Sequence, residues 1–178
     1  MAPVASFKLC IFGDSRVGKT TLTHRYVTDR FIQDTKATLG VDIVSKDIEI
    51  NGDIVKLQIW DFGGEIKFRS FLPVYARGSS GGIFMYDITR KETLDHVAEW
   101  LSIFRKHAGA EDFQVPILIV GGKRDLKEYR RVSIEDAIDQ ARNHNMYEVI
   151  ECSSKTGENV EEVFQSITRK LYEIHQLS

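Results

Sequence analysis

Phe7-Lys8-Leu9-Cys10-Ile11-Phe12 runs directly into Gly13-Asp14-Ser15-Arg16-Val17-Gly18-Lys19-Thr20, an apolar strand followed by the spacing G-x-x-x-x-G-K-[ST]. That is a complete P-loop. A diphosphate packed against backbone needs residues that let amides point inward, and a helix start that favours negative charge. Gly13 and Gly18 supply the room, and the turn from Gly13 through Thr21 is expected to cradle phosphates. Lys19 would reach the β and γ phosphates as a point charge, and the Thr20 hydroxyl would ligate a bridging magnesium ion. The plain alternative, a glycine-rich turn with an exposed lysine, leaves the strand before and the helix after unexplained.

Working outward, residues 1 to 6 read as a short tail, and a helix from near Gly18 to Thr28 carries Leu22 and Tyr26 at i, i+4 spacing. Residues 29 to 40 are polar and aperiodic, a loop containing Phe31 and Thr38. Val41 to Ile50 and Ile54 to Asp61 flank Asn51-Gly52 and should pair antiparallel. Val55, Leu57 and Ile59 alternate with Lys56 and Gln58, as in a strand with one buried face. A second loop, Phe62-Gly63-Gly64-Glu65, leads into a short helical stretch ending near Arg77. Gly81 to Asp87 and Ile117 to Gly121 are compact apolar runs of the buried parallel kind. Lys91 to His107 reads as one helix through Leu94, Val97, Leu101 and Phe104. Ser133 caps another, carrying Ile134, Ala137, Ile138 and Ala141. Tyr147 to Glu151 is a last strand, before a closing helix with a stripe of Val160, Val163, Phe164, Ile167, Leu171 and Ile174. Strands alternating with helices predict a mostly parallel sheet covered on both faces, with a ligand at the carboxyl ends of the strands.

The 178 residues suit a single domain spanning 1–178, and no linker or repeat interrupts them. A net charge of -2 gives no electrostatic reason to expect nucleic-acid or anionic-membrane binding, though a specific partner stays open. Cys10 and Cys152 sit in apolar strand-like runs without metal-ligand spacing, which suits a reducing, cytoplasmic setting. Nothing near Met1 resembles a signal peptide, and no apolar run is long enough to span a bilayer. The five histidines lack ligand spacing and are expected at the surface.

Three further stretches follow strand ends and should fall on the P-loop edge of the sheet: Asp61 with Gly63-Gly64, Gly122-Lys123-Arg124-Asp125, and Ser153-Ser154-Lys155. A strand-end aspartate beside a P-loop commonly holds magnesium, directly or through water. Alone, Asp61 would as readily be a cap or turn residue; its company gives it weight.

Gly13 to Thr20, Thr38-Leu39-Gly40-Val41-Asp42, Lys56-Leu57-Gln58-Ile59-Trp60-Asp61, Tyr86-Asp87-Ile88-Thr89 and Cys152 to Val163 together resemble a small GTPase of the Ras superfamily, closest to the Rab branch. The resemblance implies a P-loop α/β/α fold, with a six-stranded sheet, one antiparallel strand and about five helices. It also implies a site. Phe31 would set an aromatic edge against guanine, and Thr38 would close over magnesium and the γ phosphate. Gly64 would give its amide to that phosphate, and Asp61 would hold magnesium through water. Asp125 would accept hydrogen bonds from guanine N1 and N2, Lys123 would pack along the base, and the Ser153-Ser154-Lys155 loop would read O6 through the Ser154 amide. GTP and magnesium would hold both loops closed for an effector, exchange factor or activating protein, and hydrolysis would release them. Leu39, Gly40, Val41, Trp60 and Phe68 are the expected partner surface, with packing within the sheet as the alternative. A monomer is expected.

Departures from the family pattern bear on the chemistry. Glu65 stands where the family has a glutamine that orients the attacking water, and an ionised carboxylate donates no hydrogen bond. Slow intrinsic hydrolysis is expected; alternatives are a protonated or water-bridged Glu65 acting as base, or a Glu65 turned to solvent with hydrolysis completed by a partner's arginine. Gly122 replaces an asparagine that ties the base loop to the P-loop, which should weaken affinity and speed exchange. Phe62-Gly63 replaces a small polar residue and alanine, and Arg16 stands where many members have glycine, its guanidinium turned to solvent or toward the phosphates. The chain ends His175-Gln176-Leu177-Ser178, without a prenylation motif. The readings are therefore a magnesium-dependent GTPase switch with Lys19, Thr38, Gly64 and Glu65 at the reacting phosphate, or a GTP-binding interaction module with little hydrolysis. An ATP-using P-loop enzyme fits Asp125 and Ser153-Ser154-Lys155 poorly.

Overall fold

Side-chain alternation along the first strand decides the layering. In a computed structural model that describes residues 1–33, 40–109 and 114–178, β1 (Ala5–Phe12) sends Leu9 and Ile11 to one side of a sheet and Cys10 and Phe12 to the other. All four are buried, so β1 has to be central. It is flanked by two parallel neighbours, β3 (Asp53–Phe62) and β4 (Gly81–Asp87). With β2 (Val41–Ile50), β5 (Ile117–Gly122) and β6 (Glu148–Glu151), the order is β2-β3-β1-β4-β5-β6. The antiparallel member is β2, joined to β3 through Asn51 and Gly52, whose φ values of 54° and 88° are those a two-residue hairpin turn needs.

The described helices are α1 (Lys19–Thr28), α2 (Leu72–Ala76), α3 (Lys91–Asp95), α4 (Val97–His107), α5 (Ile134–Asn143) and α6 (Val160–Gln176). On one face α1 and α6 cover Leu9, Ile11, Ile59 and Val120, and Tyr26 stacks on Phe164 at 4.0 Å. On the other, Phe12 stacks on Phe104 of α4 at 4.6 Å, beside buried Trp100 and Leu101. The predicted stripe of α6 is buried from Val160 to Leu171, with Ile174 half-buried.

Three local differences from expectation have physical reasons. β1 begins inside the expected tail, because Val4 already donates to the Ile54 carbonyl at 2.8 Å. The helix expected from Lys91 to His107 is broken at His96, whose ψ of 4° leaves the helical region while its ring turns to Asp14. Ile138 is exposed on α5, which instead seats the small Ala137 and Ala141 against the core. No described helix is long and apolar enough to cross a membrane.

Candidate functional site

The central position of β1 puts its carboxyl end where the strand order reverses, the place open α/β sheets keep for ligands. There the chain leaves the sheet through Gly13, at φ 142°. A Cβ on Gly13 would lie 2.3 Å from the Met85 carbonyl oxygen, so the turn is closed to any other residue. Arg16 also has positive φ, 64°, a conformation costing a non-glycine residue about 1–2 kcal/mol. That explains glycine as the family habit there, and the residue itself is exposed.

Lys19, the first residue of α1, is only 6% exposed, and its Nζ donates to the carbonyls of Gly13 (2.9 Å) and Asp14 (2.7 Å). Burial pulls its pKa down to about 8, with Asp61 and Asp14 acting against the shift. An ammonium held this way is one that an anion over the loop would relieve. One residue on, Thr20 Oγ1 donates to Asp61 Oδ2 at 2.5 Å. Hydroxyl and carboxylate oxygens are the hard donors magnesium takes beside phosphate. The donor set fits that ion, and no larger His, Cys, Asp or Glu cage exists among the described residues.

The end of the cleft expected to take the base is assembled from the segment after β5 and the loop after β6. Ser153 Oγ donates to Asp125 Oδ1 at 2.8 Å and accepts from the Thr156 amide at 3.1 Å, while the Arg124 amide donates to the Cys152 carbonyl. Burial raises the Cys152 thiol to about 12, so it is an inert packing group.

Between the two ends lies the loop after β3. Gly64 rests on the P-loop so closely that a Cβ there would lie 2.4 Å from the Ser15 amide nitrogen. The Gly63 amide donates to the Gly40 carbonyl at 2.7 Å, joining this loop to the chain entering β2. Phe62 is buried against Tyr75, which accounts for a large residue where the family has a small one. Glu65 lines the cleft with its carboxylate 3.3 Å from Lys67 Nζ, an exposed pair of small energetic weight.

These parts enclose one cleft of about 670 Å³. Ser15 to Thr21, Phe31, Gly64, Glu65, Lys123, Asp125, Ser154 and Lys155 all line it. Gly13, Asp14, Asp61 and Ser153 stand behind that lining and support it. Thr38 and Leu39 lie outside the described residues. Of the expected partner surface, Gly40, Val41, Trp60 and Phe68 are half-buried, the last three packed on the core edge. More exposed apolar neighbours, Ile43, Ile66, Phe71 and Val74, escaped the sequence reading. Alternation along β2 was the available signal for Ile43.

Two carboxylates have roles that differ from the sequence expectation, Asp14 having been expected in the phosphate cradle. Asp14 turns away from the cleft to accept from Trp100 Nε1 at 2.8 Å and to meet His96 Nδ1 at 2.6 Å, with Arg69 at 3.5 Å. His96 is thus engaged rather than a plain surface residue. Asp87, read only as a strand end, is 1% exposed and paired with Lys123 and Arg90.

A model of the Ras family matches residues 8–173. The chain is 39% identical to the Ras-related protein RABA4d of Arabidopsis thaliana over 168 residues, covering 94% of this chain and 74% of that one. Similarity is comparable to the Ras-related protein RGP1 of Oryza sativa subsp. japonica, at 38% over 94% and 73% of the two chains. The Ras-related protein Rab-19 of Xenopus laevis is 36% identical over 93% and 76%.

Proposed function

This chain belongs to the Ras family and is Rab-like within it, and on that premise we propose how its own residues carry the switch. It binds GTP, hydrolyses it to GDP, and alternates between nucleotide states as a molecular switch. The observation that carries the assignment of residues is the meeting of the P-loop, Lys123, Asp125 and Ser154-Lys155 around one cleft, with Asp61 behind it on Thr20. Lys19 binds the β and γ phosphates, and the Gly64 amide binds the γ phosphate. Thr20 and Asp61, with Thr38, would hold magnesium, which when bound would neutralise phosphate charge. Asp125 selects guanine, held by Ser153 with its carboxylate toward the base; Lys123 flanks the ring, Ser154 reads O6, and Lys155 and Phe31 close the pocket.

Hydrolysis needs a water in line with the γ phosphate, oriented by a group that both donates and accepts. Glu65 as a carboxylate only accepts, and its exposed contact with Lys67 Nζ gives it no hydrogen to donate to that water. Intrinsic turnover is therefore slow, and an activating protein's arginine completes the site. Gly40, Val41, Trp60 and Phe68, with Leu39, form the surface that partners read. The whole of residues 1–178 acts as one monomeric domain in the cytoplasm, reaching membranes through partners.

Single-turnover conversion of bound GTP to GDP, followed by chromatography, tests the account of Glu65. Glu65→Gln should convert GTP about ten-fold faster than the parent, a gain within the usual range for positioning a reacting water. Equal rates would remove Glu65 from the explanation.

A further inference from the structure

We infer that Asp87 and Arg90 are positioning residues of the nucleotide site, fastening the base loop to the P-loop. The inference rests on the proposed assignment of Lys123 and Asp125 to the base.

Position 122 carries no side chain that could serve as a tie. A Cβ on Gly122 would lie 2.5 Å from Met85 Cε and 3.0 Å from the Val17 carbonyl oxygen, so the thioether end of Met85 fills the space before it. The fastening is found directly across the sheet, where Asp87 ends β4 in register with Gly122. Asp87 Oδ2 lies 2.8 Å from Lys123 Nζ and 3.3 Å from Arg90 Nε, and its Oδ1 accepts from the Thr89 amide and hydroxyl. Both cations continue to the P-loop. Lys123 Nζ donates to the Arg16 carbonyl at 2.9 Å, and an Arg90 guanidinium nitrogen donates to the Ser15 carbonyl at 3.0 Å. One buried carboxylate therefore holds two cations that grip consecutive P-loop carbonyls.

The backbone agrees. Arg16 and Lys123, the two residues that this bond joins, both carry left-handed backbone, at φ 64° and 67°. Such conformations persist where surrounding contacts over-determine them. Burial pushes the Asp87 carboxyl up, but hydrogen bonds from Lys123 and Thr89 outweigh it and hold the group below its ordinary value. The carboxylate is thus ionised whenever the protein works, and charge-assisted bonds of this kind are the strong ones. A nucleotide that touches both loops leaves when they part, and this tie opposes the parting.

The test is release of a fluorescent GDP analogue, chased by excess GDP in magnesium, from the full chain. Arg90→Ala should speed release about ten-fold while leaving the association rate and the nucleotide-free melting temperature unchanged, since about one strong hydrogen-bonded tie is lost. Arg90→Lys, which keeps the charge but lacks the fork that reaches both Asp87 and Ser15, should fall between. Asp125→Ala in the same assay reports on the base assignment itself. Faster release from Asp125→Ala with parental release from Arg90→Ala would overturn the tie alone. Parental release from Asp125→Ala would overturn the base assignment and the tie with it. Faster release from Arg90→Ala accompanied by a lowered nucleotide-free melting temperature would reduce Arg90 to a stabiliser of the fold and likewise overturn the inference.

Discussion

At the phosphate end of the cleft the working parts are neighbours in sequence: Lys19 bonds to carbonyls only six and five residues away, and Thr20 follows it directly. At the base end they are strangers, since Lys123 reaches the Arg16 carbonyl across 107 residues and Arg90 reaches that of Ser15 across 75. The first end is a local motif that needs only a strand before it and a helix after. The second exists once β4, β5 and β6 are aligned beside β1, so its strength is a property of the sheet. The proposed base end therefore depends on distant side chains such as Met85 and Asp87, while the P-loop is closed to a Cβ at Gly13.

The largest expected effect breaks the phosphate end. Lys19→Met should lower affinity for GTP and GDP by about two to three orders of magnitude, the weight of a buried charge-assisted contact, read by fluorescence titration. A loss below ten-fold would mean that the base end carries the affinity. The same residue gives the nucleotide-free protein a pH signature. An unfolded lysine keeps its proton to 10.5 whereas buried Lys19 gives it up near 8, so between these values the unfolded chain binds more protons. Stability should then rise from pH 8 to 10.5, by up to about 3 kcal/mol, with the cost of the buried charge present in full below pH 8. Lys19→Met should flatten that slope in thermal melts, and saturating GDP should suppress it in the parent by pairing the ammonium with phosphate.

At the base end the next effect is one of choice rather than strength. On the proposed assignment, Asp125→Asn removes the acceptor for guanine N1 and N2, and preference should move toward xanthine nucleotides with a loss of about 100-fold in GTP affinity. Competition between GTP and XTP measures it. Unchanged GTP binding would detach Asp125 from the base, leaving its bond to Ser153 as loop structure only.

How much of this was readable beforehand follows the same division. The P-loop, the Asn51-Gly52 hairpin and the strands β1 to β6 were legible because each is signalled within about ten residues by spacing or alternation. The break at His96 was not, since periodicity runs through it and its cause is a carboxylate 82 residues away. Asp87 looked like the end of an apolar strand, because nothing in Tyr86-Asp87-Ile88-Thr89 announces that Lys123 will arrive beside it. Gly122 was legible as a departure, but its consequence was read as simple loss; that Met85 takes the space and that Asp87 pairs with Lys123 across the sheet is visible only in three dimensions.

The smallest effect falls on the loop between the two ends. Gly64 abuts Gly13 to Ser15 with no space for a methyl group, each of the three nearest contacts of a Cβ being backbone and within 2.6 Å. Backbone cannot turn aside as a side-chain tip can, so Gly64→Ala must lift the loop off the P-loop. If Lys19 and Asp125 hold GDP as proposed, it should bind within about two-fold of the parent, while single-turnover hydrolysis of bound GTP falls about ten-fold through loss of the proposed contact between the Gly64 amide and the γ phosphate. If GDP affinity fell as far as hydrolysis, the Gly64 contact would be part of the P-loop's own architecture, and the phosphate end would be less local than its sequence suggests. If neither changed, the loop would have another resting place, and the close approach of Gly64 would not be what couples the γ phosphate to the surface carrying Trp60 and Phe68.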